Sequence, residues 1–164
     1  MFDLGKTLED GGQLIQGADE VISSIKEMRD SNDKPAAISL VSNFDKFDQV
    51  GHRLSDVKPL QVEYYNFLQR LGISSYFEPL FKHVTLSTEI GVRKPDKRIF
   101  RAAIDYIEKD LPFENVLFIT ENPIHVDKVR QIGMKTVHFK GPGQNTGDID
   151  RLIDLIPLVR DFLA

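Results

Sequence analysis

Apolar residues recur along this chain with two alternating periods. Ala18, Val21, Ile22, Ile25 and Met28 return at helical spacing, which predicts an amphipathic helix over 17–30. The sequence SNDKP closes it, because the residue before Pro35 is pushed out of the α region. AAISLV (36–41) is a short unbroken apolar run, as expected of a strand covered on both faces. The polar stretch 44–59 predicts a loop, and Leu60, Tyr64, Phe67, Leu68 and Leu71 mark a second helix closed by Gly72. HVTLS (83–87), NVLFIT (115–120) and MKTVHF (134–139) read as further strands. Pro95 is expected in the first turn of a helix that carries Ile99, Ala102, Ala103, Tyr106 and Ile107 along one side. Asn122 and Pro123 form a cap-plus-first-turn pair for a helix over 123–132 that ends at Gly133. After the loop GPGQNTG (141–147) comes a closing helix, which Pro157 is expected to kink or split.

Strands alternating with helices of this length imply an α/β fold, a three-layer αβα sandwich around a parallel, Rossmann-like sheet. Right-handed crossovers gather the C-terminal strand ends on one edge, where such sheets bind ligands. No repeat, linker or low-complexity tract interrupts the chain, so 1–164 reads as one domain. The strand ends carry Asp3, Ser42 with Asn43, and Thr120 with Glu121 and Asn122, and Lys94 stands just before Pro95. Two carboxylates, a hydroxyl and a lysine on one edge suit a phosphate and a Mg²⁺ ion. Magnesium takes few protein oxygens and fills its shell with water and phosphate. The hydroxyl and the ammonium would offset phosphoryl charge.

Composition narrows the classes further. With 21 Lys+Arg against 25 Asp+Glu the net charge is -4, so no uniform attraction to nucleic acid or anionic membrane is expected. The absence of Cys excludes thiolate metal sites and disulfides. No apolar run has membrane-spanning length, and the acidic start MFDLGKTLED is not a secretory signal, so a soluble, cytoplasmic protein is expected. His52, His83, His125 and His138 share no metal-ligand spacing. Gly5-Lys6-Thr7 lacks the preceding strand and upstream glycine of a nucleotide-binding loop.

In order and spacing these segments resemble the haloacid dehalogenase-like (HAD-like) superfamily, mostly Mg²⁺-dependent phosphohydrolases with an aspartate nucleophile. Asp3-Leu4-Gly5-Lys6-Thr7-Leu8 is similar to its first motif, Asp-x-Asp-Gly-Thr-Leu, and Val41-Ser42-Asn43 to its second. GVRKPDKRIFRAAI (91–104) resembles the Lys-Pro-Asp-x-x-Ile-Phe signature, and VLFITENP with IGMKTV behind it keeps the frame of the fourth motif. The resemblance covers almost the whole chain and implies a HAD-type core acting on a phosphomonoester. It implies that Asp3 attacks phosphorus to form an aspartyl-phosphate. Ser42, Asn43 and Lys94 would then bind the phosphoryl group, and Asp3, the Gly5 carbonyl and Glu121 would hold Mg²⁺.

The departures from the family pattern keep a second reading open. Gly5 stands where the family's general acid/base usually lies, a contribution typically worth ~10²–10⁴-fold. Thr120 replaces a glycine, Glu121 replaces an aspartate, and His125, Val126 and Asp127 compete for the second acidic position. The alternative to a hydrolase is therefore a catalytically degenerate domain, a pseudoenzyme kept as a binding or regulatory module. The spacing leaves room for no sizeable cap. An open site implies a phosphorylated substrate that covers it, small molecule or macromolecule, or a lid from a homo-oligomer neighbour. The loop 44–59, with Phe44, Lys46, Phe47, His52 and Arg53, is the candidate for substrate contact beyond the phosphate. Only Met1 and Phe2 precede Asp3, and each buried ladder group left unpaired beside so short a strand costs about 1–3 kcal/mol. A native chain that begins further upstream, or a first strand supplied in another way, is expected.

Overall fold

Short parallel strands and helices alternate along the chain, in a computed structural model that describes residues 1–44 and 54–164. A hairpin of β1 (Glu9–Asp10) and β2 (Gln13–Leu14) leads into α1 (Ala18–Lys26) and β3 (Leu40–Ser42). Then come α2 (Leu54–Arg70), a 3₁₀ turn at Ser74–Phe77, α3 (Leu80–His83), β4 (Val84–Leu86) and α4 (Ser87–Ile90). The remainder is α5 (Lys97–Ile107), a 3₁₀ turn at Phe113–Asn115, β5 (Leu117–Thr120), α6 (Pro123–Gln131) and β6 (Lys135–His138). A 3₁₀ turn at Leu152–Asp154 runs into α7 (Leu155–Leu163). None of the described helices is long and apolar enough to cross a membrane. These elements form two compact units, one of Met1–Ile38 with Pro112–Ala164 and the other of Ser39–Leu111.

In the first unit β5 and β6 pair in parallel, with Leu117 opposite Lys135 and Thr120 opposite His138. Met1–Asp3 lies parallel along β5. Met1 N donates to Leu117 O, Ile119 N to Met1 O, and Asp3 N to Ile119 O, at 2.9, 3.0 and 2.9 Å. Met1 and Asp3 therefore make the ladder bonds to β5. α6 packs on β5 and β6, and α1 packs against α7. Phe2, Leu8, Val21, Ile22, Phe118, Val129 and Leu155 are buried there. Burying each such side chain stabilises the fold by about 1.5–3 kcal/mol.

In the second unit β3 and β4 pair in parallel, Leu40 with Val84 and Ser42 with Leu86. α5 covers them, turning Ile99, Phe100 and Ala103 inward, while Leu68, Ile73 and Phe77 close the core.

Several boundaries differ from those expected. The strand expected at 36–41 begins only at Leu40, because Pro35 bridges back to Arg29 and Ala36 N donates to Met28 O. α2 starts at Leu54 and carries Pro59 within it, so 54–59 is helix, and 45–53 lie outside the described residues. Asp96, not Pro95, opens α5. Its carboxylate accepts Arg98 N at 2.9 Å, and the helix starts at Lys97. Pro157 falls in the first turn of α7, where a missing N–H leaves no helix bond unmade, so α7 continues unbroken.

Candidate functional site

The six residues singled out from the sequence fall into two groups, one in each unit. In the first unit Asp3 follows the strand segment paired with β5, and Thr120 and Glu121 follow β5 itself. The chain turns sharply after Asp3. The Leu4 carbonyl accepts Thr7 N, Leu8 N and Glu9 N, and Lys6 takes a left-handed conformation at φ 56°. That turn sets Thr7 against Glu121. Thr7 Oγ1 donates to Glu121 Oε2 at 2.9 Å and accepts Glu121 N at 3.1 Å.

Asp3 is buried and held at both oxygens. Oδ1 accepts Leu4 N at 2.9 Å and Oδ2 accepts Thr120 Oγ1 at 3.1 Å. Thr120 Oγ1 also lies 3.4 Å from Glu121 Oε2 and accepts Asn122 N at 3.1 Å. One hydroxyl, that of Thr120, thus lies between the two carboxylates, and its single proton has Asp3 as the nearer acceptor. His125 stands in the first turns of α6, whose N-terminus Asn122 caps by accepting Ile124 N and His125 N. Its Nδ1 is buried 3.6 Å from Asp3 Oδ2 and makes no hydrogen bond. Gly141 passes so close that a Cβ there would sit 2.5 Å from Lys6 O and 3.0 Å from Glu121 Cβ. Glu9 Oε1 lies 3.6 Å from where a side chain on Gly5 would begin, and its Oε2 accepts Gly12 N at 3.1 Å.

In the second unit three consecutive residues at the end of β3 are each anchored from a different element. Ser42 Oγ is 2.5 Å from the buried Tyr64 hydroxyl of α2. Asn43 grips the backbone of Lys94, accepting its N–H at 2.7 Å and donating to its carbonyl at 3.3 Å. Phe44 N donates to Ser87 Oγ at 3.0 Å, and Thr88 Oγ1 donates to the Phe44 carbonyl. Lys94 is only 5% exposed, and lysines are almost never so buried without a partner for the ammonium. The Asn43 amide expected on substrate is thus engaged in holding the Lys94 backbone.

Thr7, Tyr64 and Gly141 are not among the residues expected at the site, and Thr120 is expected there as a strand-end residue that departs from the motif. A threonine four residues after Asp3 was the available signal for the first. Among the described residues no three His, Cys, Asp or Glu side chains cluster closely enough to hold a metal ion. Magnesium needs fewer, commonly one or two carboxylates with water and phosphate, and Asp3 with Glu121 supplies that hard oxygen set. The donors present fit the ion.

No family model matches the sequence. It is 39% identical over 62 residues to the drimenol cyclase drtB of Aspergillus calidoustus, a stretch covering 37% of this chain and 11% of that protein. Solved structures resemble it over far more of its length. YfnB of Bacillus subtilis, described as a HAD-hydrolase and solved bound to magnesium, superposes with a TM-score of 0.64 at 20% identity, covering 91% of this chain and 57% of that one. An uncharacterized protein from Corynebacterium glutamicum matches with a TM-score of 0.54 at 18% identity, over 99% of this chain and 91% of its own. The L-2-haloacid dehalogenase PA0810 matches at 0.57 and 16% identity, over 91% and 57%. The chain spans little more than half of two of these structures and about a tenth of the curated relative. It has the HAD-like, Rossmann-type α/β fold that its motifs lead one to expect.

Proposed function

We propose that this chain is a HAD-like phosphatase, Mg²⁺-dependent, that cleaves a phosphomonoester through an aspartyl-phosphate on Asp3. The observation that carries the reading is the Asp3 carboxylate itself, buried at a strand end and fixed at both oxygens by Leu4 N–H and the Thr120 hydroxyl. A carboxylate so held has lost the rotational freedom that would otherwise oppose attack. One Asp3 oxygen bonds to phosphorus as the ester P–O bond breaks, and the leaving oxygen takes a proton from water. Water then attacks phosphorus, releases inorganic phosphate and restores the carboxylate. Ser42 and Lys94 donate to phosphoryl oxygens, with Asn43 holding the Lys94 backbone in place. Asp3, the Gly5 carbonyl and Glu121 are the groups that would hold Mg²⁺, whose charge offsets that of the phosphoryl oxygens. The motif spacing leaves room for no sizeable cap, and on this reading the substrate is a phosphate ester bulky enough to cover the site.

The test is hydrolysis of an activated aryl phosphate, with and without Mg²⁺, by the wild-type chain and by Asp3→Asn. The proposal expects the variant to lose the Mg²⁺-dependent rate, and equal rates would remove it. The second reading, a degenerate binding module, draws on the Glu121 oxygen already occupied by Thr7 and on the imidazole beside Asp3. Beryllium fluoride, a mimic of the aspartyl-phosphate, separates the two. A melting temperature raised only when Mg²⁺ is also present supports the phosphatase, and indifference supports the module.

A further inference from the structure

We infer that Tyr64 is a positioning residue for the anion-binding hydroxyl of Ser42, an inference that rests on the reading of Ser42 as a phosphoryl contact. Tyr64 comes from the middle of α2 and is 2% exposed, with its hydroxyl 2.5 Å from Ser42 Oγ at the end of β3. The Phe44 ring meets the Tyr64 ring edge-on, with centroids 5.1 Å apart and planes at 68°. Phe44 is itself pinned at N–H and carbonyl by Ser87 and Thr88. The tyrosine hydroxyl therefore has little freedom to choose another place.

The chemistry of the pair fixes its direction. A phosphoryl oxygen can only accept, so Ser42 must spend its single proton on the anion. Its lone pairs then remain for a donor, and the phenol, a stronger acid than an aliphatic alcohol, supplies one. The relay runs from Tyr64 O–H to Ser42 Oγ and from Ser42 O–H to the anion, and each bond polarises the next. Without the phenol, the Ser42 rotor can turn its proton towards neighbouring backbone acceptors, as serines at strand ends commonly do.

The experiment is a double-mutant cycle on the full chain, read as inorganic phosphate affinity by calorimetry in the presence of Mg²⁺. Tyr64→Phe keeps the ring, its packing on Phe44 and the fold, and removes only the hydroxyl. It is expected to weaken phosphate about fivefold to tenfold, one hydrogen bond's worth, with the melting temperature recorded alongside to confirm folding. Ser42→Ala is expected to weaken phosphate by at least about tenfold. Adding Tyr64→Phe to Ser42→Ala should cost nothing more, because there is no longer a hydroxyl to orient. If Tyr64→Phe binds phosphate like wild type while Ser42→Ala does not, the positioning role is overturned and the phosphate site stands. An equal loss in both backgrounds would make Tyr64 merely structural and overturns the role as well. If Ser42→Ala binds phosphate unimpaired, the site reading fails and takes this inference with it.

Discussion

Replacing Thr120 by Val removes one oxygen from the polar cluster around Asp3 while keeping the branched shape of a fully buried side chain. That oxygen is 3.1 Å from Asp3 Oδ2, accepts Asn122 N at 3.1 Å and lies 3.4 Å from Glu121 Oε2. A hydrogen bond to a charged group contributes about 1.5–3 kcal/mol, and the carboxylate stays buried when its donor is gone. A loss of about 2–3 kcal/mol follows, which for a chain of this size lowers the melting temperature by about 4–12 °C. Thr120→Ser keeps the hydroxyl and loses one buried methyl, about 0.8 kcal/mol, or roughly 2–3 °C. The expected order of stability is wild type, then Ser, then Val, followed by circular dichroism on heating. The Asp3-dependent rate should fall in the same order. A Val variant as stable as the Ser variant would mean that the hydroxyl contributes no more than a methyl group, and the reasoning about Asp3 would be refuted.

Other consequences are as open to measurement. Gly141→Ala drives a Cβ to 2.5 Å from Lys6 O and should cost about 1–3 kcal/mol, as overpacking does, and raise the Mg²⁺ concentration needed for activity by displacing Glu121. Gly143→Ala, with φ 79° and nothing within 4 Å, should cost only the backbone strain of about 1–2 kcal/mol and leave the Mg²⁺ requirement unchanged. Asp96→Ala removes the cap of α5 and should cost about 1 kcal/mol at neutral pH, measured by denaturant unfolding. Hydrogen bonds from the Arg98 side chain and backbone hold the Asp96 carboxyl at about 2, below its ordinary 3.8. The wild-type advantage over Asp96→Ala should thus be full above pH 3.8 and vanish as pH falls through about 2. Mg²⁺ at a hundredfold excess over Kd should stabilise the wild-type chain by about 2.7 kcal/mol, seen as a raised melting temperature, and leave that of Asp3→Asn unchanged.

Much of the fold was legible because its signals are local. The Asn122-Pro123 pair announces α6 through chemistry confined to one turn, and the structure shows the expected cap bonds. The run before Thr120 is apolar enough to specify β5 without help. Prolines are less legible, since Pro95 stands before the cap of α5, Pro157 falls in the first turn of α7, and Pro59 lies inside α2. The site was legible only as residue types at strand ends. What anchors those residues was not. The Thr120–Asp3 bond spans 117 positions, Thr7–Glu121 spans 114, and Tyr64–Ser42 spans 22, and no periodicity encodes such pairs. Thr120 in particular departs from the glycine of the motif it resembles, and its hydroxyl binds the carboxylate proposed to react.

The central claim, that Asp3 is the nucleophile, is tested most directly by trapping the covalent intermediate. The wild-type chain is mixed with Mg²⁺ and an activated aryl phosphate, quenched in acid within the first turnover, digested and examined by mass spectrometry. The account predicts one phosphoryl group on the peptide that contains Asp3, labile to hydroxylamine and missing from Asp3→Asn. Turnover with no adduct on that peptide, continuing at the same rate in Asp3→Asn, would contradict it.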